Sequence, residues 1–203
     1  MRLVIASRNQ GKIREIKAML SDMPVEILSL SDFDNIPELA EEGSTFQENA
    51  AQKARSVMLA TGLTALADDS GLEVDYLGGA PGVYSARFAG AKANDAANNY
   101  KLLKLLTGVP REKRTARFVC VIAIATPDGQ LYYSEGKCEG VIGFKPAGDG
   151  GFGYDPLFIV PQYGQTFAQL PPDIKNSISH RAQALTLARE IIAGLVNEER
   201  GGV

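Results

Sequence analysis

The sequence predicts an α/β fold, a mixed sheet with helices packed on it. Three features carry this: a strand–loop–helix opening over Leu3 to Leu20, helical and strand periods alternating early in the chain, and a hairpin pattern over Arg117 to Ile142. Leu3 to Ala6 is a short continuous apolar run, the mark of a strand covered on both faces. After polar Ser7 to Gly11, Ile13, Ile16 and Leu20 recur at helical spacing, and Val25 to Leu30 reads as a second strand. Asp32 to Gly43 is acidic and irregular, a loop.

Thr45 and Glu48 stand in capping-box spacing and start a second helix. Its apolar stripe runs Phe46, Ala50, Val57, with Lys53 at the position between them. A lysine there either snorkels its stem to the edge or aims its charge at an anion, and spacing alone leaves both open. Leu63 to Ala67 is a strand ending at Asp68-Asp69-Ser70-Gly71, and Leu72, Val74 and Tyr76 alternate as a further half-exposed strand. Gly78 to Gly82 breaks the chain, Asn94 to Leu106 forms a helix, and Arg117–Ala125 and Leu131–Ile142 form a hairpin about Thr126 to Gly129. Glycine-dense Gly148 to Pro156 feeds a last strand, Leu157 to Val160. Ser179 caps a final helix with Leu185, Ala188, Ile191 and Ile192 on its apolar face. No repeat or linker interrupts the 203 residues, which read as a single domain, 1–203.

A formal charge of −3 without a basic block argues against nucleic-acid and anionic-membrane binding, both of which need a positive stripe. The longest apolar stretch, Phe118 to Ala125, has strand length rather than membrane-spanning length. Cys120 and Cys138 lack zinc spacing and read as buried free thiols of a reducing compartment, so the cytoplasm is the expected location.

Five stretches could carry chemistry. Ser7-Arg8-Asn9-Gln10-Gly11-Lys12 lies between a strand and a helix, where amides and the helix dipole attract phosphate, though it is no Walker loop. Asp68-Asp69-Ser70-Gly71 ends a strand. Adjacent carboxylates want a cation, hard oxygens favour magnesium, and alternation along a strand sends only one of the pair into a site. Glu41-Glu42-Gly43 gains meaning if it approaches Asp69. Glycines around Phe152, in Gly150 to Pro156, leave an aromatic face for a flat ring. Lys175, His180 and Arg181 gather donors near a helix start.

Five ordered blocks carry a resemblance: SRNQGKIREI, EEGSTFQENAAQKA, ADDSGLEVDYLGGAPGVYSARFAG, GGFGYDPLF and SISHRAQAL, together covering nearly the whole chain. In them the sequence resembles the inosine triphosphate pyrophosphatase family, the RdgB/HAM1-like enzymes acting on non-canonical purine nucleoside triphosphates. The resemblance implies hydrolysis of ITP, dITP and XTP to the monophosphate and pyrophosphate with Mg2+. It also implies an elongated α/β fold of two lobes about a long mixed sheet, an active-site cleft, and a homodimer. Carried over, Ser7, Arg8, Asn9, Gln10, Gly11 and Lys12 hold the triphosphate and Ser70 adds a contact. Asp69 is the catalytic carboxylate and a metal ligand, and Glu41, chosen over Glu42 by its offset to Gly43, is its acidic partner. Phe152, Gly153, Tyr154, Asp155, Lys175, His180 and Arg181 surround the nucleoside. A triphosphate of about four negative charges needs local cations, which weighs Lys53 toward catalysis. The competing expectations are a regulatory module that binds nucleotide without cleaving it, and a relative acting on modified pyrimidine triphosphates.

Overall fold

The computed structural model of the chain describes residues 1–34, 36–39 and 41–201. Seven strands form one sheet in the order β2-β1-β3-β4-β5-β6-β7. They are β1 (Arg2–Ile5), β2 (Glu26–Ser29), β3 (Thr64–Val74), β4 (Thr115–Ala125), β5 (Leu131–Ile142), β6 (Phe158–Val160) and β7 (Gln165–Thr166). Among the described residues the α-helices are α1 (Gln10–Met19), α2 (Phe46–Thr61), α3 (Asp95–Leu105), α4 (Pro172–Ile178) and α5 (His180–Gly201). β1 runs parallel to both neighbours, whereas β6 is antiparallel to β5 and β7, so the sheet is mixed. The expected fold class is the observed one.

Contacts divide the chain into two compact units. The first comprises Met1–Asp69, Cys120–Gly136 and Arg181–Val203. Its core gathers Leu3 and Ile5 of β1, Ile13 and Ile16 of α1, Leu66 of β3, Ile122 and Ile124 of β4, and Leu185 and Ile192 of α5. Each such fully buried aliphatic side chain contributes about 1.5–3 kcal/mol. The second unit comprises Ser70–Val119 and Lys137–His180, with Leu72, Leu102, Leu106, Phe118, Phe158 and Phe167 in its core.

Helix α2 begins as its sequence dictates. Thr45 accepts from the Glu48 amide at 3.1 Å, Glu48 Oε2 accepts from the Thr45 amide at 3.2 Å, and Gly62 closes the helix at φ 67°. Phe46, Asn49, Ala50, Lys53, Ala54 and Val57 are all buried, one face at helical spacing.

Three expectations are corrected. β3 does not stop at Asp68; it runs unbroken from Thr64 to Val74, and Tyr76 falls in a 3-10 turn, Asp75–Leu77. Asp and Gly disfavour strands, but β3 keeps β4 as a hydrogen-bonded neighbour in the sheet, and pairing overrides that preference. The strand over 157–160 is not the last, because two-residue β7 follows it. Helix α4 was unforeseen, although Pro171-Pro172 places a proline at its first turn. In the irregular stretch 32–43, Leu30–Asp32 forms a 3-10 turn, and Asn35 and Ala40 lie outside the described residues.

Candidate functional site

The parallel ladder of β1 and β3 ends at the pair Ile5 and Leu66, with one more bond from Ala6 N–H to the Leu66 carbonyl. β3 continues past that point, so Asp68 and Asp69 stand where β1 has given way to the loop at Ser7. Open α/β sheets place ligand sites beyond the carboxyl ends of such strands. In this loop Ser7 Oγ accepts from the Asn9 amide at 3.2 Å, and Asn9 caps α1 by accepting from the Lys12 amide at 3.1 Å. Arg8, Asn9 and Gln10 are exposed, and Gly11 and Lys12 are half-buried.

Strand alternation separates the two aspartates, as the sequence required. Asp69 meets α2. Lys53 Nζ donates to Asp69 Oδ1 at 2.7 Å, to the Asp68 carbonyl at 2.9 Å and to Glu41 Oε1 at 2.9 Å. Asn49, one turn before Lys53, donates to Asp69 Oδ2 at 3.2 Å. Burial pushes the Asp69 carboxyl above its ordinary range, against the pull of Lys53. Burial works against the Lys53 ammonium too, but Asp69 and Glu41 outweigh it and raise its pKa. Lys53 is therefore a buried cation paired inside the unit.

Asp68 faces the other way and is fully buried. Lys12 Nζ pairs with its Oδ1, while Oδ2 accepts from Arg181 Nε at 2.8 Å and from Cys120 Sγ at 3.0 Å. Burial alone would raise this carboxyl, but Arg181 and Lys12 together hold it well below the usual range. Arg181, itself 2% exposed, also pairs with Glu15 of α1. Asp68, Lys12, Glu15 and Arg181 thus tie the first turns of α1 to the start of α5.

Sequence reasoning missed Asn49 and Glu15, and it did not pair Asp68 with Lys12 and Arg181. Asn49 carried a signal: it is a polar residue four before Lys53 on an otherwise apolar stripe. It also holds the acidic segment, accepting from the Gly43 amide at 2.8 Å. A Cβ on Gly43 would stand 2.7 Å from Glu48 Cβ and 2.8 Å from Asn49 Oδ1, so close approach demands glycine there.

The second unit holds the remaining candidates. Ser70, next along β3, is half-buried. In the glycine-rich loop, Asp155 Oδ2 accepts from the Phe152 amide at 2.9 Å and from Lys175 Nζ at 2.7 Å. A Cβ on Gly151 would strike that carboxylate at 2.0 Å, and Gly151 also sits at φ +74°. The Lys175 ammonium lies 4.9 Å from the centroid of the Phe152 ring, so a cation takes up part of the aromatic surface expected for stacking. Tyr154 is buried, its hydroxyl donating to the Ser85 carbonyl at 2.8 Å. His180 stacks on Phe118 with centroids 4.7 Å apart.

Among the described residues, no three His, Cys, Asp or Glu side chains are grouped to hold a metal ion. Glu41 and Asp69 nevertheless converge on one ammonium, so their accepting oxygens lie no farther apart than those two contacts end to end. Mg2+ takes one or two carboxylates and completes its shell with phosphate and water. This donor set, hard oxygens without thiolate or imidazole, fits that ion. Glu42 is exposed and shares no such contact among those described.

A model of the Ham1 family matches residues 3–191. The dITP/XTP pyrophosphatase of Desulforamulus reducens is 56% identical over 192 residues, covering 95% of this chain and 96% of its own. That of Geobacter sulfurreducens is 55% identical over 189 residues, covering 93% and 95%. Among solved structures, a HAM1 protein from Coxiella burnetii superposes with a TM-score of 0.88 at 42% identity, covering 96% of this chain and 99% of its own. The Ham1 protein of Staphylococcus aureus gives 0.85 at 42% identity, with the same coverage. Among the described residues, no helix is long and apolar enough to cross a membrane.

Proposed function

The chain belongs to the Ham1 family, and from that membership we propose that it hydrolyses dITP, XTP and ITP to the nucleoside monophosphate and pyrophosphate, clearing deaminated purines from the nucleotide pool. One observation of geometry carries the reading: Asp69 and Glu41 share the Lys53 ammonium where β3 outruns β1, next to the pairing of Lys12 with Asp68.

Those products require water to attack the α-phosphorus with pyrophosphate leaving. Asp69 is the carboxylate that orients the water. Lys53 and Lys12 supply charge against the triphosphate and the departing pyrophosphate, which a chain of net charge −3 must concentrate locally. Ser7, Arg8, Asn9, Gln10, Gly11 and Ser70 complete the phosphate set. Glu41 and Asp69 would hold Mg2+, which when bound supplies Lewis-acid stabilisation of phosphate charge. Phe152, Gly153, Tyr154, Asp155, Lys175, His180 and Arg181 form the nucleoside set.

Base choice follows from donors and acceptors. Hypoxanthine and xanthine offer an acceptor at C6 and a donor at N1, and adenine reverses both. Arg181 donates to the 6-oxo group; with adenine it would meet an amino group, and a buried unpaired donor is costly. Homodimer formation and residence in the cytoplasm complete the proposal, supported by the family resemblance and by two free buried cysteines.

Pyrophosphate release tests this directly, with ITP, dITP, XTP, GTP, ATP and dTTP at equal concentration, with and without Mg2+. The expected result is Mg2+-dependent turnover of the first three at least about 100-fold above ATP. Absence of turnover with any of them would favour a binding module, and preference for dTTP a pyrimidine enzyme.

A further inference from the structure

Helix α3 grips the glycine-rich loop at a single residue. Asp95 Oδ2 accepts from the Gly153 amide at 2.7 Å, and Asn99 Nδ2 donates to the Gly153 carbonyl at 2.9 Å. Residues four apart share a helix face, so one face of α3 satisfies both backbone polar groups of one glycine. Gly153 adopts φ +62°, a conformation a side chain would strain. On the other side of Phe152, Asp155 takes the Phe152 amide and Lys175 takes the same carboxylate oxygen. The chain is therefore tied both before and after the Phe152 side chain.

We propose that Asp95 and Asn99 are positioning residues that fix the backbone on both sides of Gly153 and thereby set how the Phe152 ring meets the purine. The proposal rests on the reading of Phe152 as part of the nucleoside set. A loop held in advance loses little freedom when ligand binds; a loop released must be ordered by the ligand itself. That cost falls on binding rather than on attack at phosphorus, so it appears in KM and leaves kcat alone.

Asp95 is also an acidic residue in the first turn of α3, where its charge favours the helix dipole. The two roles separate chemically: Asp95→Asn keeps a carbonyl acceptor for Gly153 and loses the charge, whereas Asp95→Ala loses both. Asn99 provides a second handle. Its Oδ1 is buried with no hydrogen-bond partner among the described residues, so Asn99→Leu removes an unsatisfied atom along with the donor to Gly153.

The test combines hydrogen exchange of residues 150–155 with steady-state kinetics on the full chain. Inorganic tripolyphosphate serves as a competitor that carries phosphate but no base. Asp95→Ala and Asn99→Leu are expected to speed exchange in that segment alone and to raise KM for ITP about tenfold, equivalent to about 1.4 kcal/mol. Their kcat and their inhibition constant for tripolyphosphate stay as in the parent, and Asp95→Asn behaves like the parent throughout. Unchanged exchange in both variants overturns the proposal, as does a matching loss in Asp95→Asn. Faster exchange with unchanged KM, or KM and the tripolyphosphate constant rising together, overturns the link to the purine. Phe152→Leu separates the premise: if it leaves KM for ITP unmoved, the nucleoside reading of Phe152 falls, while the exchange data still decide whether α3 holds the loop.

Discussion

Asp68 and Asp69 are neighbours with different partners, and isosteric substitution tests them separately. Asp68→Asn keeps the shape but removes the charge facing Lys12 and Arg181, and it presents an amide hydrogen to one of the two cations. Arg181, 2% exposed, is left with Glu15 as its remaining carboxylate partner among the contacts described above. Breaking a buried ion pair in this way costs about 3–5 kcal/mol. A chain of 203 residues has an unfolding entropy near 0.43 kcal/mol per kelvin at about 2.1 cal/mol/K per residue, so Tm falls by roughly 7–12 °C. Asp69→Asn removes a carboxyl whose ionisation burial already resists, and Lys53 keeps Glu41 at 2.9 Å. Its Tm stays within about 2 °C of the parent, while turnover falls by a factor of at least about 100. Scanning calorimetry and pyrophosphate release on both variants read the two effects. Equal melting temperatures for Asp68→Asn and the parent, or a larger loss in Asp69→Asn, would refute the division of labour.

Gly43→Ala forces a Cβ against Glu48 and Asn49; it should cost about 1–3 kcal/mol and displace Glu41, raising the Mg2+ concentration for half-maximal turnover in a metal titration. The two thiols should resist alkylation in the native protein. Cys138 is pushed up to about 11 by burial, leaving about 0.1% thiolate at pH 8 against about a quarter for an ordinary cysteine. Burial, and then the Asp68 carboxylate, raise Cys120 well above its ordinary value, so intact mass after iodoacetamide should show no adduct until denaturant is added, then two. Stability should respond to acid through Asp68. Its folded pKa is depressed below the ordinary 3.8, so its contribution is complete above that value and is lost as pH falls toward the folded one. Asp68→Asn should flatten that acid limb in urea titrations between neutral pH and pH 3.

The alternating elements were legible because each has a local cause. The Thr45–Glu48 capping box and the apolar face of α2 were written in adjacent residues, and each formed as read. Lys53 stood out for the same reason, as a charge on an apolar stripe. Partner identity was not local. Glu15 meets Arg181 across 166 residues of chain, and Asp95 meets Gly153 across 58, so no window of sequence holds both ends. The continuity of β3 through Asp68–Gly71 depends on its neighbours in the sheet, which propensity does not encode. Two-residue β7 is too short to show a period at all.

Incubating the protein with ITP and Mg2+ in 18O-enriched water, then locating the label by mass spectrometry, tests the central claim most directly. Water oriented by Asp69 onto the α-phosphorus delivers the heavy oxygen to IMP and none to pyrophosphate. Label in the pyrophosphate, or products of IDP and labelled phosphate, would contradict the account.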